Sequence, residues 1–265
     1  MTQKGNYFCE ILVFPLLILL CSCVVPSALR AEQAPIPART SQLVIVLTQS
    51  FDDNQARLYC FERQVPLNNW RLRLGPFAAI IGKRGLAWGR GLHSNLPDYA
   101  PVKVEGDKKS PAGVFRLGPV IGRPEELPDI KMPYVSIMTL VECVDDPRSR
   151  YYNQLVRPDT VAERDWNSSE RLFLPGIWYD FGVVVQHNSP LPVSGSGSCI
   201  FLHNWDSPSD STTGCTALAP ENLTQIVKWL DILRQPVIVQ LPQSIYEKVK
   251  QKWHLPAIHD FHREP

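Results

Sequence analysis

Residues Cys199 to Leu218 read CIFLHNWDSPSDSTTGCTAL, and this stretch is the most informative in the chain. It begins with an apolar run that ends at His203, which is typical of a β-strand. A polar loop containing a proline follows, and the motif Thr212-Thr213-Gly214-Cys215 then leads into a turn or a helix. A strand therefore presents a histidine, and a turn close behind it presents a cysteine.

The residue types in this stretch favour nucleophilic catalysis. A thiol attacks as the thiolate, and a neighbouring imidazole supplies the base, so we expect Cys215 to be the nucleophile and His203 the general base. Gly214 allows the backbone to approach a substrate carbonyl, where backbone N–H groups can stabilise an oxyanion. Asp206 or Asp210 could orient the imidazole, and a backbone carbonyl is the alternative.

Outside this stretch the pattern is mainly β. Prolines number 24 among 265 residues and are spread along the chain, which leaves little room for long helices. Short apolar or alternating segments predict strands. These segments are Leu43–Leu47, Arg57–Glu62, Trp70–Leu74, Ala78–Ile81, Tyr179–Val185, Cys199–His203 and Val237–Leu241.

Two segments near the C-terminus predict helices. The clearer one begins after Pro220, where an apolar face follows three-four spacing through Leu223, Ile226, Val227, Leu230 and Leu233. A second amphipathic stretch covers Ile245–Trp253. We therefore predict a mainly β fold with one or two packed helices.

The N-terminal segment resembles an export signal. The apolar run Ile11–Cys21 follows Lys4 and is too short for a membrane span, which needs about 20 residues. Residues 20–23, Leu-Cys-Ser-Cys, resemble a bacterial lipobox, which implies a diacylated Cys23. Ordinary cleavage near Ala28 or Ala31 is the alternative.

Charge and composition exclude two classes of protein. The chain has 27 Lys and Arg against 26 Asp and Glu, and this balance argues against nucleic acid as the main partner. The 44% apolar content is enough for a hydrophobic core, so the chain is not intrinsically disordered.

Four cysteines lie outside the export segment, namely Cys60, Cys143, Cys199 and Cys215. A catalytic thiol must stay free, so at most one disulfide is expected among them. We expect Cys199 to remain reduced, because a bridge there would pull on the strand that carries His203. No C-x-x-C pair is present, so we expect no metal site.

Several motifs resemble those of the L,D-transpeptidase catalytic domain family (YkuD-type). That family has a histidine on a strand, then a loop, then Ser/Thr-x-Gly-Cys, which Thr212–Cys215 resembles. Residues Gly106–Phe115 resemble its Gly-Asp-x-Lys-Thr/Ser-Pro-x-Gly-x-Phe block. Three further blocks, Gly85–Gly91, Glu142–Asp146 and Asp165–Ser169, resemble features of a periplasmic, proteobacterial-like subgroup.

The sequence departs from the family pattern at two places. The family often has a histidine where Thr213 stands and an arginine where Ala217 stands. That arginine could hold a carboxylate of the substrate peptide, so its absence leaves the recognition of this group unexplained.

The resemblance implies a β-sandwich-like catalytic domain at residues 42–242, after a signal segment at 1–31 and a linker at 32–41. Residues 243–265 are then a C-terminal helix and tail. The implied reaction is acyl transfer on peptidoglycan stem peptides in the periplasm or cell envelope. Cys215 attacks the diaminopimelate–D-Ala bond, and an amine acceptor resolves the thioester.

The resemblance also suggests partners and further site residues. No cofactor and no metal are expected. Carbapenem-type inhibitors are expected to bind. The membrane is contacted only through a possible lipid anchor. Asn188, Asn204, Thr212 and Thr213 are the expected substrate-binding residues. Two alternatives remain, an L,D-carboxypeptidase that uses water and a non-catalytic domain that binds the cell wall.

Overall fold

The computed structural model describes residues 1, 34–67, 69–93, 100–123, 129–138, 140–172 and 181–258. The expected export signal and Cys23 lie outside these residues, as does the start of the strand predicted at Tyr179–Val185.

The described chain is mainly β, as the sequence predicts. The two helices are α1 (Pro220–Trp229) and α2 (Gln243–Val249), with a short 3₁₀ helix at Ile232–Arg234. The strands are β1 (Gln42–Thr48), β2 (Gln55–Glu62), β3 (Arg71–Ile80), β4 (Leu86–Trp88), β5 (Ser110–Gly122), β6 (Tyr134–Ser136), β7 (Glu142–Val144), β8 (Leu155–Val156), β9 (Ser169–Arg171), β10 (Phe181–Val185), β11 (Phe201–Asn204), β12 (Thr216–Leu218) and β13 (Val237–Pro242).

The large sheet closes on itself. Its strand order is β10-β11-β12-β3-β2-β1-β13-β5-β4, and β5 pairs with β10 as well. The second pairing joins two distant positions of the strand order, so eight strands form a ring and β4 and β6 attach to β5. The long strand β5 therefore ties together elements from the start, middle and end of the chain.

The centre of the core is the pair β1 and β13. These strands run parallel, with Leu43 opposite Val237 and Leu47 opposite Leu241. All seven residues of β1 are buried, because β13 and β2 pair with its two edges and both of its faces are covered, with α2 packed against β1 and β13. This explains why the segment reads as a continuous apolar run rather than an alternating one.

Helix α1 confirms most of the predicted apolar face. Leu223, Ile226, Val227 and the following Leu230 are all buried. Leu233 is 87% exposed, because the helix ends at Trp229 and the chain turns before it reaches that residue. Among the described residues, no helix is long and apolar enough to cross a membrane.

Two sequence predictions are corrected by the fold. The separate strands predicted at Trp70–Leu74 and Ala78–Ile81 form the single strand β3, whose backbone continues through the cis peptide bond before Pro76. The predicted linker is packed at its C-terminal end, where Ile36 is buried and the Arg63 guanidinium bonds the Thr40 carbonyl at 2.7 Å.

A second, smaller sheet lies beside the motif Thr212–Cys215. Strands β8, β7 and β9 form it in that order. In the antiparallel pair β7–β9, Glu142 faces Arg171 and Cys143 faces Glu170. This sheet supplies part of the wall of the candidate site.

Candidate active site

His203 and Cys215 line the same cleft, which has a volume of about 590 Å³. The cleft wall comes from the end of β3, from β9, from β11, from the loop after it and from the turn before β12. Its lining residues are Ile80, Glu170, Arg171, His203, Asn204, Trp205, Asp206, Ser209, Asp210, Ser211, Thr212, Thr213, Cys215 and Ala217.

The pairing of β11 with β12 explains why the two residues meet. These strands are parallel, and His203 lies opposite Ala217. Cys215 precedes Ala217 by two residues, and side chains two apart along an extended chain point to the same face. The thiol and the imidazole therefore project from neighbouring segments toward one cleft.

A backbone carbonyl holds the imidazole of His203. Its Nδ1 lies 2.7 Å from the carbonyl oxygen of Asn204. A carbonyl only accepts hydrogen bonds, so Nδ1 carries the hydrogen and Nε2 keeps its lone pair in the neutral ring. Burial lowers the pKa of His203 to about 4, although the Asn204 carbonyl and Asp206 act in the opposite direction. The ring is therefore a neutral base at physiological pH.

The Cys215 thiol is buried among apolar residues and is protonated. Burial raises its pKa far above the ordinary value, and the charge of Glu170 adds to this. The sulfur donates to the carbonyl oxygen of Cys199 at 3.6 Å, and the backbone N–H of Phe201 acts to lower the pKa. In the free protein the site therefore holds a thiol and an imidazole rather than a thiolate and an imidazolium.

Two hydroxyl groups fix the turn that carries the thiol. The carbonyl of Cys215 accepts from Ser110 Oγ at 2.9 Å and from Thr212 Oγ1 at 2.6 Å. Thr212 Oγ1 also accepts from the N–H of Gly214 at 3.1 Å. Gly214 has φ +155°, and a Cβ there would lie 3.2 Å from the Lys109 carbonyl oxygen. Glycine therefore fits a conformation that L side chains rarely adopt.

The other predicted substrate-binding residues have different fates. Asn204 and Thr213 line the cleft, and the Thr213 side chain is exposed. Thr212 also lines it, but its hydroxyl bonds within the turn. The prediction for Asn188 is wrong. Its buried amide donates to the carbonyls of Val193 and Gly197, and it stabilises that loop rather than the cleft.

The prediction that Cys199 stays reduced is also wrong. Cys199 forms a disulfide with Cys143, with their Cα atoms 5.8 Å apart. Cys199 has φ +56° and precedes the first residue of β11, Phe201. The bridge is therefore attached two residues ahead of the strand that carries His203. Cys60 and Cys215 are the free thiols among the described residues.

Two further histidines are buried away from the cleft. His93 lies against Gly113, and its ring nitrogens bond Gly89 and Val114. His187 packs edge-on against Phe115, with ring centroids 5.7 Å apart. Within the described ranges, no three His, Cys, Asp or Glu side chains are grouped as a metal site would require.

Sequence reasoning missed the contribution of β9 to the cleft. Glu170 and Arg171 line it, although neither belongs to a recognisable catalytic motif. The available signal was the pair of blocks Glu142–Asp146 and Asp165–Ser169. The structure brings them together, since Trp166 and Ser169 both donate to Glu142.

The cleft is charged unevenly. Glu170, Asp206 and Asp210 are acidic, and Arg171 is the one arginine or lysine among the described lining residues. The site therefore combines a buried thiol and a neutral imidazole with a charged rim, groups that can carry out acyl transfer on a polar peptide.

Comparison with known families agrees with this arrangement. The model of the L,D-transpeptidase catalytic domain family (YkuD) matches residues 50–239, well over half of the chain. No curated protein and no solved structure matches the chain. The matched region includes β2 to β12 and every residue of the cleft. On the extent of this match, the chain belongs to the L,D-transpeptidase catalytic domain family.

Proposed function

We propose that this protein is a peptidoglycan L,D-transpeptidase in which Cys215 is the nucleophile and His203 the general acid and base. One observation carries the proposal. Cys215 and His203 open onto a single cleft, and the Asn204 carbonyl holds Nδ1 of His203 so that Nε2 is the basic nitrogen. Membership of the family supports a substrate drawn from peptidoglycan.

The first half-reaction acylates the enzyme. Nε2 of His203 takes the proton of the Cys215 thiol as the sulfur attacks the carbonyl carbon of the diaminopimelate–D-Ala bond. The tetrahedral intermediate then collapses and its C–N bond breaks. His203 returns the proton to the departing D-Ala amine, and a thioester remains on Cys215.

The second half-reaction transfers the acyl group. An amine of a neighbouring stem peptide attacks the thioester carbonyl and gives its proton to His203. The C–S bond breaks, and the sulfur recovers that proton as a thiol. The product is a 3-3 cross-link, or an attachment to a protein if a protein supplies the amine.

The protonation state of the free enzyme fits this order of events. Thiol and imidazole are both neutral, because burial disfavours each charged form. Proton transfer therefore accompanies attack on a bound substrate instead of preceding it. The fixed turn around Cys215 supports this step, since Ser110 and Thr212 hold the carbonyl of the nucleophile in place.

The place of action follows from the substrate. Peptidoglycan lies in the cell envelope, so the enzyme is exported and works there. The N-terminal run Ile11–Cys21 supports export, and Cys23 is the candidate for lipid attachment. Two acyl chains would retain the enzyme at the membrane, and Cys23→Ser would release it into the soluble fraction.

Product analysis tests the reaction. The purified protein is incubated with disaccharide tetrapeptides, and the products are identified by mass. Dimers with a 3-3 cross-link support transfer, tripeptides show that water is the acceptor, and unchanged substrate shows a binding domain. The matched variants are Cys215→Ala and Cys60→Ala. Acyl adducts with a carbapenem should be lost only in the first, since Cys60 is the other described free thiol and lies in the core.

A further inference from the structure

Arg171 stands on the cleft wall at the end of strand β9. Its side chain is 62% exposed, so the guanidinium is open to a ligand. The family position that often holds an arginine is Ala217 here, and its side chain carries no charge. Arg171 therefore supplies positive charge from a different strand of the same cleft.

A buried carboxylate forms an ion pair with the Arg171 side chain. Glu142 lies directly opposite Arg171 in the β7–β9 pair, and its carboxylate is 1% exposed. Arg171 Nε lies 3.8 Å from Glu142 Oε1. That contact leaves the terminal pair, Nη1 and Nη2, available as the fork that binds a carboxylate in bidentate fashion.

Other donors satisfy the second oxygen of Glu142. Oε2 accepts from Trp166 Nε1 at 2.8 Å and from Ser169 Oγ at 2.6 Å, and Arg164 Nη2 lies at 3.4 Å. Burial raises the pKa of Glu142, but these hydrogen bonds and the two arginine charges outweigh it and lower the pKa overall. Glu142 is thus a fixed anion beside Arg171.

The charges around Glu142 do not cancel. Two guanidinium groups, those of Arg164 and Arg171, face one carboxylate. Arg164 also lies over the ring of Trp166 at 5.0 Å and does not line the cleft. Of these two guanidinium groups, only that of Arg171 lines the cleft, where, of the lining residues described, it is the one cation among the acidic Glu170, Asp206 and Asp210.

We propose that Arg171, oriented by Glu142, binds one carboxylate of the acyl-donor stem peptide and so selects donors in which that carboxylate is free. This inference rests on the proposed transpeptidase function and adds the group that recognises the donor. Arg171 is a specificity residue, and Glu142 is a positioning residue that acts through it.

The test compares two donor tetrapeptides, one with free carboxylates on the second and third residues and one with both amidated. In the wild type, amidation should raise KM about 10- to 100-fold and change kcat little, since a charge-assisted bond to the ground state is lost. In Arg171→Gln, KM for the free-carboxylate donor should rise by the same factor. The two donors should then differ by less than about threefold.

Two variants control for general effects. Arg157→Gln removes a cation that follows β8 of the same small sheet, pairs with Asp159 and does not line the cleft, so it should keep the wild-type preference for free carboxylates. Arg171→Lys keeps the charge without the fork and should retain part of the preference. Thermal melting shows whether each variant is folded. Full preference in folded Arg171→Gln, or its loss in Arg157→Gln as well, would overturn the assignment.

A binding measurement separates this inference from the proposed function. Both tetrapeptides are titrated into Cys215→Ala and into Cys215→Ala with Arg171→Gln, using the fluorescence of the tryptophans, among them Trp205 in the cleft. The single variant should prefer the free-carboxylate peptide about 10- to 100-fold, and the double variant should not. If the wild type makes no product, the proposed reaction is wrong, while this binding ratio still decides the role of Arg171. Equal affinity of the single variant for both peptides refutes it.

Discussion

The thiol of Cys215 donates a hydrogen bond to the backbone carbonyl of Cys199, with sulfur and oxygen 3.6 Å apart. The side chain of Cys199 is in turn bonded to Cys143 on β7, the central strand of the small sheet. Cys199 therefore connects the Cys215 thiol to the small sheet that carries Arg171. The backbone N–H of Cys199 is also held, by the side chain of Asn153 at 2.9 Å.

Removing the disulfide should weaken both stability and donor binding. Cys143→Ala opens a link between residues 56 apart, which should lower the free energy of unfolding by about 2–4 kcal/mol. KM for the donor should rise, because the sheet carrying Arg171 is no longer bonded to the segment beside Cys215. Chemical denaturation and steady-state kinetics measure the two effects. Reduction of the wild type should reproduce them, and an unchanged KM would show that the bridge acts on stability alone.

The rate of acylation should depend on pH through His203. Its pKa is about 4 in the folded protein, because the ring is buried. Acylation should be independent of pH above about 5 and fall about tenfold for each pH unit below 4, as Nε2 takes up a proton and no longer acts as a base. His203→Ala should slow the step by about 10²–10⁴-fold. Rapid mixing with a chromogenic donor measures it, with the exposed His254→Ala as control. A fall that begins near pH 6.5 would contradict a buried neutral base.

Protonation of His187 should destabilise the fold in acid. Burial lowers its pKa to about 4, and Nδ1 accepts the N–H of Arg90 while Nε2 faces the Ser196 carbonyl. The unfolded chain binds this proton at about pH 6.5, so between pH 6.5 and 4 it holds more protons than the folded chain. Stability from this group is therefore complete above about pH 6.5 and falls by about 3 kcal/mol as the pH drops to 4.

Urea unfolding at several pH values checks this prediction. His187→Gln should lower stability at pH 7 and reduce the further loss between pH 7 and 4. His254→Gln, at an exposed position, should leave the pH dependence unchanged. If the free energy of unfolding depends on pH in the same way in His187→Gln and in the wild type, the His187 ring takes up its proton equally in the folded and unfolded states.

Thr212 and Thr213 should behave differently, although both line the cleft. Thr212→Val removes the hydroxyl that bonds the Cys215 carbonyl and the Gly214 N–H, so kcat should fall about tenfold and stability by about 1–2 kcal/mol. Thr212→Ser should restore most of both. Thr213→Val, at an exposed position, should leave stability unchanged and act through KM if at all. Equal effects of the two changes on kcat would refute a separate role for the Thr212 hydroxyl.

The sequence predicts the parts of the site that depend on local pattern. An apolar run before His203 identifies a strand, and a glycine before Cys215 identifies a turn. His203 and Cys215 both reach the cleft. The mainly β class follows from short strands separated by prolines. The face of α1 follows from its spacing up to Leu230, where the chain leaves the helix.

The parts that failed depend on contacts between distant segments. The bridge between Cys143 and Cys199 forms because the small sheet lies beside β11. No local sequence pattern predicts that placement. Asn188 has the chemistry of a binding residue, but its side-chain amide is buried and forms its hydrogen bonds with the backbone of a neighbouring loop. Arg171 lies on a strand of three residues, too short for a periodic signal, and only its partner Glu142 reveals its orientation.

The parallel pairing of β1 with β13 also determines when the ring of strands can be completed during synthesis of the chain. β1 is the first strand described and β13 the last, yet they are neighbours at the centre of the core. A nascent chain that ends before residue 237 lacks the partner of β1 and one neighbour of β5, so the ring stays open. The ring can therefore close only after residues 237–242 have been synthesised, near the end of the described chain.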